Sequence, residues 1–355
     1  MKLFGCLATW ADHGNGMNPK SSDRDLTRRR FLRRLALFAS LASGSRYGAY
    51  LWADEPSSDP FGQTLPRRLL GRTGEKVTML GLGGFHIGSL SDRDAQAMIE
   101  AAIDGGIRFF DTAQQYQNGG SEAKYGRFLT PKYRDHIFLM TKTLARDSRA
   151  ARRDLEESLR RLRTDYLDLW QMHRVVSPGD VEERQRNGVM EVMEEAKSSG
   201  KVRYIGFTGH RTPNAHRRVL EVTDQFDTCQ MPINAADPSY QSFVKNILPM
   251  LAAKNLGVLA MKTLADQGFF GTHRWDSRST GVSALIPNRI SVQEAIHFVW
   301  SLPVSVLITG AESLDQLSEK IGLAHSFRGM SAEERQRIIQ RVADLAGNAV
   351  EYYKA

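Results

Sequence analysis

The stretch Ile107–Glu122 contains the side chains best suited to acid–base chemistry. It begins with a short apolar run typical of a strand, presents Asp111 where that strand ends, and places Tyr116 in the glycine-rich turn beyond. A carboxylate at a strand end and a phenol in the following loop suit a proton-transfer site at one rim of a sheet or barrel. The pattern therefore predicts that a catalytic site is built around this stretch.

Polar side chains also end the next two predicted strands, at Lys142 and at His173. Neighbouring strands lie about 5 Å apart, and the parallel strands of a barrel present their carboxyl ends at one rim. A single lysine or histidine at a strand end is commonly a surface group, but polar ends on adjacent strands favour a functional site. We therefore expect Asp111, Lys142 and His173 to be close neighbours, with Tyr116 beside them.

The residue types of this set indicate its chemistry. A phenol with an ordinary pKa near 10 is a poor acid or base at neutral pH, and a neighbouring ammonium group lowers that pKa. We expect Lys142 to lower the pKa of Tyr116, and Asp111 to keep Lys142 charged. His173 can orient a carbonyl oxygen by a hydrogen bond. Such a site protonates an oxygen, which is half of a carbonyl reduction; no side chain supplies the hydride, so a nicotinamide cofactor is implied.

The rest of the chain predicts the elements that position this set. Eight apolar strands, each followed by a helical pattern, extend over roughly 250 residues and predict an α/β fold, a (β/α)8 TIM barrel. The strands are predicted at Val77–Leu82, Ile107–Phe110, Ile137–Lys142, Tyr166–Met172, Val202–Thr208, Thr228–Ile233, Gly257–Met261 and Val306–Thr309. The helices are predicted at Asp92–Asp104, Ser121–Leu129, Ser148–Leu162, Val189–Ser199, Asn214–Thr223, Ser242–Asn255, Ser291–Leu302 and Ser313–Ala324.

A hairpin at Arg68–Leu80 precedes the predicted barrel, and an extra helix at Ser331–Asn348 follows it. The alternative fold is an open doubly wound sheet, but Gly81–Gly84 lacks the third glycine of a dinucleotide-binding turn. The long segment Ala265–Arg289 has no clear pattern, and a loop of that length commonly covers a site. Trp275 within it is a candidate substrate contact.

The first 53 residues carry most of the net charge of +8, because they hold nine Lys/Arg and three Asp, a balance of +6. The remaining +2 does not indicate a nucleic-acid-binding surface. Residues Thr27–Arg33 resemble a twin-arginine export signal, and the apolar run Leu35–Ser43 is short for a membrane span. We expect export by the twin-arginine machinery to the periplasm or beyond, without stable membrane insertion after processing.

This division predicts four regions: a signal peptide (1–53), a Pro- and Ser-rich linker (54–64), a barrel (65–330), and a C-terminal helix with its tail (331–355). Only Cys229 follows the presequence, so neither an internal disulfide nor a cysteine-rich metal centre is expected. No histidine cluster with ligand spacing accompanies His173, and no metal site is predicted.

Four segments, FFDTAQQY, MTKT, LWQMHR and VLITGAESLDQLSEKIG, together resemble the aldo-keto reductase superfamily over about Leu65 to Ala324. The resemblance implies a (β/α)8 barrel that uses a nicotinamide cofactor without a Rossmann fold. It implies Tyr116 as the general acid–base, Lys142 and Asp111 as the groups that tune it, and His173 as the residue that orients the carbonyl. The implied cofactor contacts are Thr208 and Gln230 at the carboxamide, Lys262, Thr263 and Leu264 at the pyrophosphate, and Gly310, Ser313, Gln316 and Glu319 at the adenosine end.

A 2′-phosphate requires a positive partner, and Lys320 can provide it. This favours NADP, with NAD as the alternative. The sequence thus predicts an NAD(P)H-dependent enzyme that reduces a small aldehyde or ketone, or oxidises the alcohol. The alternative function is a nicotinamide-binding sensor or accessory protein with little turnover.

Overall fold

The computed structural model describes residues 57–270 and 289–355. The predicted signal peptide, the start of the predicted linker, and most of the predicted covering loop with Trp275 lie outside the described residues. Among the helices in the described ranges, none is both long enough and apolar enough to cross a membrane.

Two antiparallel hairpins precede the barrel. Strand β1 (Ser58–Asp59) pairs with β2 (Gly62–Gln63), within the predicted linker, and β3 (Arg67–Leu69) pairs with β4 (Lys76–Thr78). The second hairpin confirms the predicted one. The first is held to the barrel by an ion pair between Asp59 Oδ2 and Arg108 Nε at 2.6 Å.

Eight parallel strands, β5 to β12, close into a barrel in chain order, which confirms the predicted fold. They are β5 (Leu80–Gly83), β6 (Phe109–Asp111), β7 (Phe138–Thr143), β8 (Leu167–Met172), β9 (Val202–Thr208), β10 (Thr228–Pro232), β11 (Gly257–Met261) and β12 (Val306–Thr309). Their carboxyl ends lie at one rim, because parallel pairing gives every strand the same direction.

The first predicted barrel strand, Val77–Leu82, is wrong in its bounds because this segment belongs to two sheets. Val77 pairs with Arg68 in the hairpin, whereas Gly81 pairs with Ile308 and Phe109 in the barrel. The Thr78 hydroxyl donates to the carbonyl of Leu80 at 2.9 Å at this change of direction. A continuous apolar run does not reveal such a corner.

The described ranges contain helices between the strands and after the last one. They are α1 (Gly84–Ile87), α2 (Asp92–Asp104), α3 (Gly120–Phe128), α4 (Thr130–Tyr133), α5 (Ser148–Leu162), α6 (Pro178–Arg186), α7 (Val189–Ser198), α8 (Pro213–Val222), α9 (Phe243–Asn246), α10 (Leu248–Ala253), α11 (Val292–Trp300), α12 (Leu314–His325) and α13 (Ala332–Val342). Side chains cap many amino ends, as Asp147 does for α5, where it accepts from the amide of Ala150.

The helix predicted at Ser242–Asn255 is two helices, α9 and α10, which meet at Ile247. Pro249 lies in the first turn of α10, where its missing N–H is tolerated, but it could not continue the helical ladder of α9. Helix α6, which follows β8, was not predicted; Ser177 caps it by accepting from the amide of Asp180.

Apolar side chains fill the interior of the barrel and its amino end. The rings of Phe109 and Phe138 stack at 4.9 Å between centroids. Leu70 and Val77 of the second hairpin belong to the same buried cluster. The hairpin therefore closes the amino end of the barrel and leaves the carboxyl rim for the polar groups.

Candidate active site

The carboxyl rim brings Asp111, Lys142 and His173 together. Asp111 ends β6, Lys142 lies next to the end of β7, and His173 follows β8 directly. Register fixes their relative heights: Asp111 lies opposite Met140, and Lys142 lies opposite Gln171. All three side chains are buried.

The ammonium group of Lys142 is the centre of this arrangement. Its Nζ forms an ion pair with Asp111 Oδ1, donates to the carbonyl of Thr112 at 2.7 Å, and lies 3.3 Å from the hydroxyl of Tyr116. These partners use the three donors of an ammonium group. Lys142 therefore connects the buried carboxylate directly to the phenol.

A tight turn positions Tyr116. Gln117 and Asn118 have φ of 47° and 51°, and Gly119, with φ of 88°, is the N-cap of α3. The phenol ring meets the edges of Phe85 and His173 at centroid distances of 5.3 Å and 6.0 Å. Tyr116 is only half-buried, so it is accessible to a molecule at the rim.

A buried chain of contacts behind the rim braces these elements. The Thr141 hydroxyl donates to Glu122 Oε1 at 2.6 Å, and Arg161 Nε pairs with Glu122 Oε2 at 2.6 Å. Glu122 is fully buried in α3 and so ties the helix after Tyr116 to the strand that carries Lys142.

The electrostatics of the phenol differ from the expectation. Burial raises the pKa of Tyr116 above its ordinary value, and the opposing influence of Lys142 does not reverse the shift. The expected net lowering is therefore wrong for the free protein, because the sequence does not reveal how strongly the hydroxyl is desolvated. At neutral pH the phenol holds its proton.

Lys142 and His173 have definite charge states near neutral pH. Burial lowers the pKa of Lys142, but the combined influence of Asp111 and Tyr116 raises it by more. The pKa of Lys142 therefore lies above its ordinary value. Burial, aided by the Lys142 charge, lowers the pKa of His173 well below its ordinary value. The site thus holds an ammonium group beside a neutral phenol and a neutral imidazole.

Next to this set, a cavity of about 400 Å³ opens on the carboxyl ends of β11 and β12. The cofactor residues predicted from the sequence that line it are Lys262, Thr263, Leu264, Gly310, Gln316, Glu319 and Lys320. Thr208 and Gln230 lie side by side on β9 and β10, outside this lining. Ser313 is also outside the lining, and its hydroxyl caps α12 by accepting from the amide of Gln316.

The donor set fits a nicotinamide dinucleotide. Gln230 Oε1 and Thr263 Oγ1 are buried without a hydrogen-bond partner among the described residues, so each can serve a polar group of a ligand. A carboxamide NH₂ needs an acceptor such as Gln230 Oε1. Lys262 and Lys320 place two cations along the cavity, as an anionic diphosphate and a 2′-phosphate require.

Both cations are engaged by the protein. Lys262 Nζ pairs with Asp266 Oδ2 at 3.0 Å. Lys320 Nζ donates to the carbonyl of Gly310 at 2.6 Å, and burial lowers its pKa to about 8.

The sequence analysis missed other residues that line the cavity, among them His86 and Asp266. His86 lies in α1, just after the first barrel strand, and Glu312 Oε1 is 3.8 Å from its Nδ1. Its position after a strand end was a usable signal. The contact between His86 and Glu312 could not be predicted, because the two residues lie at opposite ends of the barrel sequence.

The comparisons with known proteins agree with this geometry. The model of the aldo/keto reductase family matches residues 79–284. This chain belongs to the aldo/keto reductase family. It is therefore an NAD(P)-dependent oxidoreductase, as the sequence predicts.

The relatives of this aldo/keto reductase include L-galactose dehydrogenase of Arabidopsis thaliana, which is 29% identical over 78% of this chain and 95% of the plant protein. L-glyceraldehyde 3-phosphate reductase of Escherichia coli O157:H7 is 25% identical over 83% of this chain and 96% of the relative. An aldo-keto reductase of Bacillus halodurans in its holo form has a similar fold, with a TM-score of 0.67, 23% identity, and coverage of 82% of this chain and 100% of the other. So does one of Klebsiella pneumoniae in complex with NADPH, with a TM-score of 0.60, 24% identity, and coverage of 77% and 93%.

Proposed function

We propose that this chain reduces an aldehyde or ketone to the alcohol, or oxidises the alcohol, with Tyr116 as its acid–base group. The observation that carries the proposal is the ammonium of Lys142, held by the buried Asp111 carboxylate and 3.3 Å from the Tyr116 hydroxyl. A phenol in this position can give up its proton because the charge left on its oxygen is stabilised at once.

The nicotinamide supplies the hydride when it is bound, and the side chains supply the proton. In the reducing direction Tyr116 donates its hydroxyl proton to the carbonyl oxygen as negative charge develops there. Lys142 stabilises the phenolate that remains, and Asp111 keeps Lys142 protonated. The neutral imidazole of His173 donates a hydrogen bond that orients the carbonyl oxygen beside the phenol.

NADP(H) is the proposed cofactor. Gln230 and Thr208 would hold its carboxamide, Lys262 to Leu264 its diphosphate, and the residues around Gly310 and Lys320 its adenosine end. Support comes from the buried ammonium of Lys320 in the cavity lining. Measuring the dissociation constants of NADPH and NADH tests this choice, and a clear preference for NADH would overturn it.

The proposed role of Tyr116 is tested by Tyr116→Phe, which removes one oxygen atom. Loss of a general acid lowers kcat by about 10²- to 10⁴-fold, and the Kd for NADPH should stay the same. Tyr125→Phe is the matched control: this buried hydroxyl, 3.4 Å from the carbonyl of Leu82, lies outside the proton path, and kcat should barely change. Equal turnover by wild-type protein and Tyr116→Phe would favour the alternative of a cofactor-binding protein with little activity.

We also propose that the enzyme is exported through the twin-arginine pathway, which carries folded proteins, with its cofactor already bound. The support is the motif Thr27–Arg33 in a basic amino-terminal region. Replacing both Arg28 and Arg29 with lysine should retain the protein in the cytoplasmic fraction, whereas Arg34→Lys with Arg46→Lys should not. Periplasmic accumulation of the first variant, or the absence of nicotinamide from protein purified from the periplasm, would contradict the proposal.

A further inference from the structure

The last residues of the chain pack against the carboxyl rim, and Lys354 anchors them there. Its Nζ is fully buried and pairs with Asp237 Oδ1 and Glu351 Oε1, each at 2.8 Å; it also donates to the carbonyl of Tyr240 at 2.8 Å. Burying an ammonium group is costly unless such partners compensate for lost hydration. The anchor therefore defines one position for the tail.

Tyr353 is held at the same place from two sides. Its hydroxyl accepts from Asn234 Nδ2 at 2.9 Å and donates to Glu351 Oε1 at 3.1 Å. Asn234 follows β10, so these bonds attach the tail to the barrel itself. With its hydroxyl engaged in this way, Tyr353 presents its ring to Lys262, whose Nζ lies 4.8 Å from the ring centroid, and to His210, whose centroid lies 6.2 Å away.

The tail also contacts the anionic partner of Lys262. The hydroxyl of Tyr352 donates to Asp266 Oδ2, the oxygen that pairs with Lys262. Two consecutive tyrosines of the tail thus contact both members of the ion pair that lines the cavity.

The backbone of this segment needs such support. Lys262, Ala265 and Asp266 have φ of 56°, 52° and 54°, in the left-handed region that residues with a Cβ rarely adopt. Strained positions of this kind persist only where the surroundings hold them. At Gly268 the tail comes so close that a Cβ would lie 2.4 Å from the carbonyl oxygen of Val350.

We propose that the segment Asn348–Ala355, here called the C-terminal strap, is a positioning element of the cofactor site. It fixes the Lys262–Asp266 pair so that Lys262 faces the diphosphate of the dinucleotide, with Tyr353 as the positioning residue and Lys354 as the anchor. This inference rests on the proposed function in one respect: it takes the ligand of Lys262 to be a nicotinamide dinucleotide.

The experiment compares Tyr353→Ala, Tyr352→Phe and Lys354→Met with Lys245→Met, which removes an exposed lysine of helix α9. NADPH is titrated into each full-length protein, and kcat is measured at saturating NADPH. We expect Kd for NADPH to rise about tenfold in Tyr353→Ala and Lys354→Met, as for one misplaced charge contact. In these variants the Michaelis constant for the carbonyl substrate and kcat should stay within about twofold of the wild-type values. In the control Lys245→Met, Kd, kcat and the Michaelis constant should all stay within the same limit.

Hydrogen exchange without ligand supplies a second measurement. The amides of residues 257–270 should exchange faster in the strap variants, whereas a purely global effect would accelerate exchange throughout the barrel. Should Lys354→Met fail to fold, Tyr352→Phe removes only the hydroxyl that contacts Asp266 and should still raise Kd by a few fold.

The outcomes separate the two proposals. Unchanged Kd in Tyr353→Ala and Tyr352→Phe, with tight NADPH binding by wild-type protein, overturns the strap and leaves the proposed function intact. A wild-type protein that binds neither NADPH nor NADH overturns both. A parallel fall of kcat with no change in Kd also overturns the strap, because it would place the effect at the acid–base groups.

Discussion

Asp111→Asn removes the charge that keeps Lys142 protonated while preserving the size of the side chain. In the wild-type protein, burial lowers the pKa of Lys142, and Asp111 together with Tyr116 more than compensates. Without the carboxylate, burial becomes the dominant influence and lowers the pKa of Lys142. Tyr116 then faces an amine that holds its proton less firmly.

The distance in the site determines the size of the effect. With the ammonium 3.3 Å from the Tyr116 oxygen, its attraction for a phenolate is about 5 kcal/mol at an effective dielectric constant of 20. Because Tyr116 is partly exposed, solvent reduces this to about 3 kcal/mol, which corresponds to roughly a hundredfold loss of kcat. The Kd for NADPH should change little.

The pH dependence separates this reasoning from simple structural damage. As the pH is lowered, Lys142 in Asp111→Asn regains its proton, so the reduction rate should recover towards the wild-type value. We would measure kcat for a small aldehyde from pH 5 to pH 9 in both proteins, with thermal unfolding as a check on folding. A variant rate that is low by the same factor at every pH would refute the proposed role of Asp111.

Other predictions follow from the same contacts. Lys320→Met should raise Kd for NADPH about tenfold and leave Kd for NADH unchanged. In the wild-type protein the preference for NADPH over NADH should shrink between pH 7 and pH 9, because the pKa of Lys320 is about 8 and its ammonium group loses its proton over this range. Glu122→Gln should lower the free energy of unfolding by about 2–3 kcal/mol, measured by urea titration. The loss is smaller than for breaking a fully buried ion pair, because Arg161 still pairs with Glu157 at 3.1 Å in the variant. Alcohol oxidation requires the phenolate of Tyr116, whose pKa is raised, so its kcat/KM should increase about tenfold per pH unit from pH 6 to pH 9; a flat profile would contradict Tyr116 as the base.

The strand ends explain why much of the site could be predicted. Asp111, Lys142 and His173 each lie at the end of an apolar run, and the barrel brings those ends together whatever path the loops take. Tyr116 follows from the turn that its glycines mark. The fold itself was predictable because the alternation of strand and helix patterns persists along the chain.

Other features depend on contacts that sequence patterns do not encode. Asn234 and Tyr353 are separated by 119 positions along the chain, and nothing in either local pattern indicates their hydrogen bond. The net shift in the pKa of Tyr116 is a balance between desolvation, which raises it, and Lys142, which lowers it, and that balance depends on how the chain packs around the phenol. The spacing of Lys262 and Asp266, four positions apart, is compatible with an ion pair on a helix. Nothing in the sequence indicates the left-handed backbone at Lys262, Ala265 and Asp266.

The two halves of the site are maintained by different kinds of contact, and this difference has consequences for mutation. Asp111 and Lys142 lie on barrel strands, and His173 directly follows one, so their geometry persists as long as the barrel is folded. The segment with Lys262 depends instead on a few buried polar groups from the C-terminal strap, and losing one partner leaves another unpaired. Substitutions far from the reacting atoms should therefore weaken cofactor affinity before they reduce the rate of the chemical step.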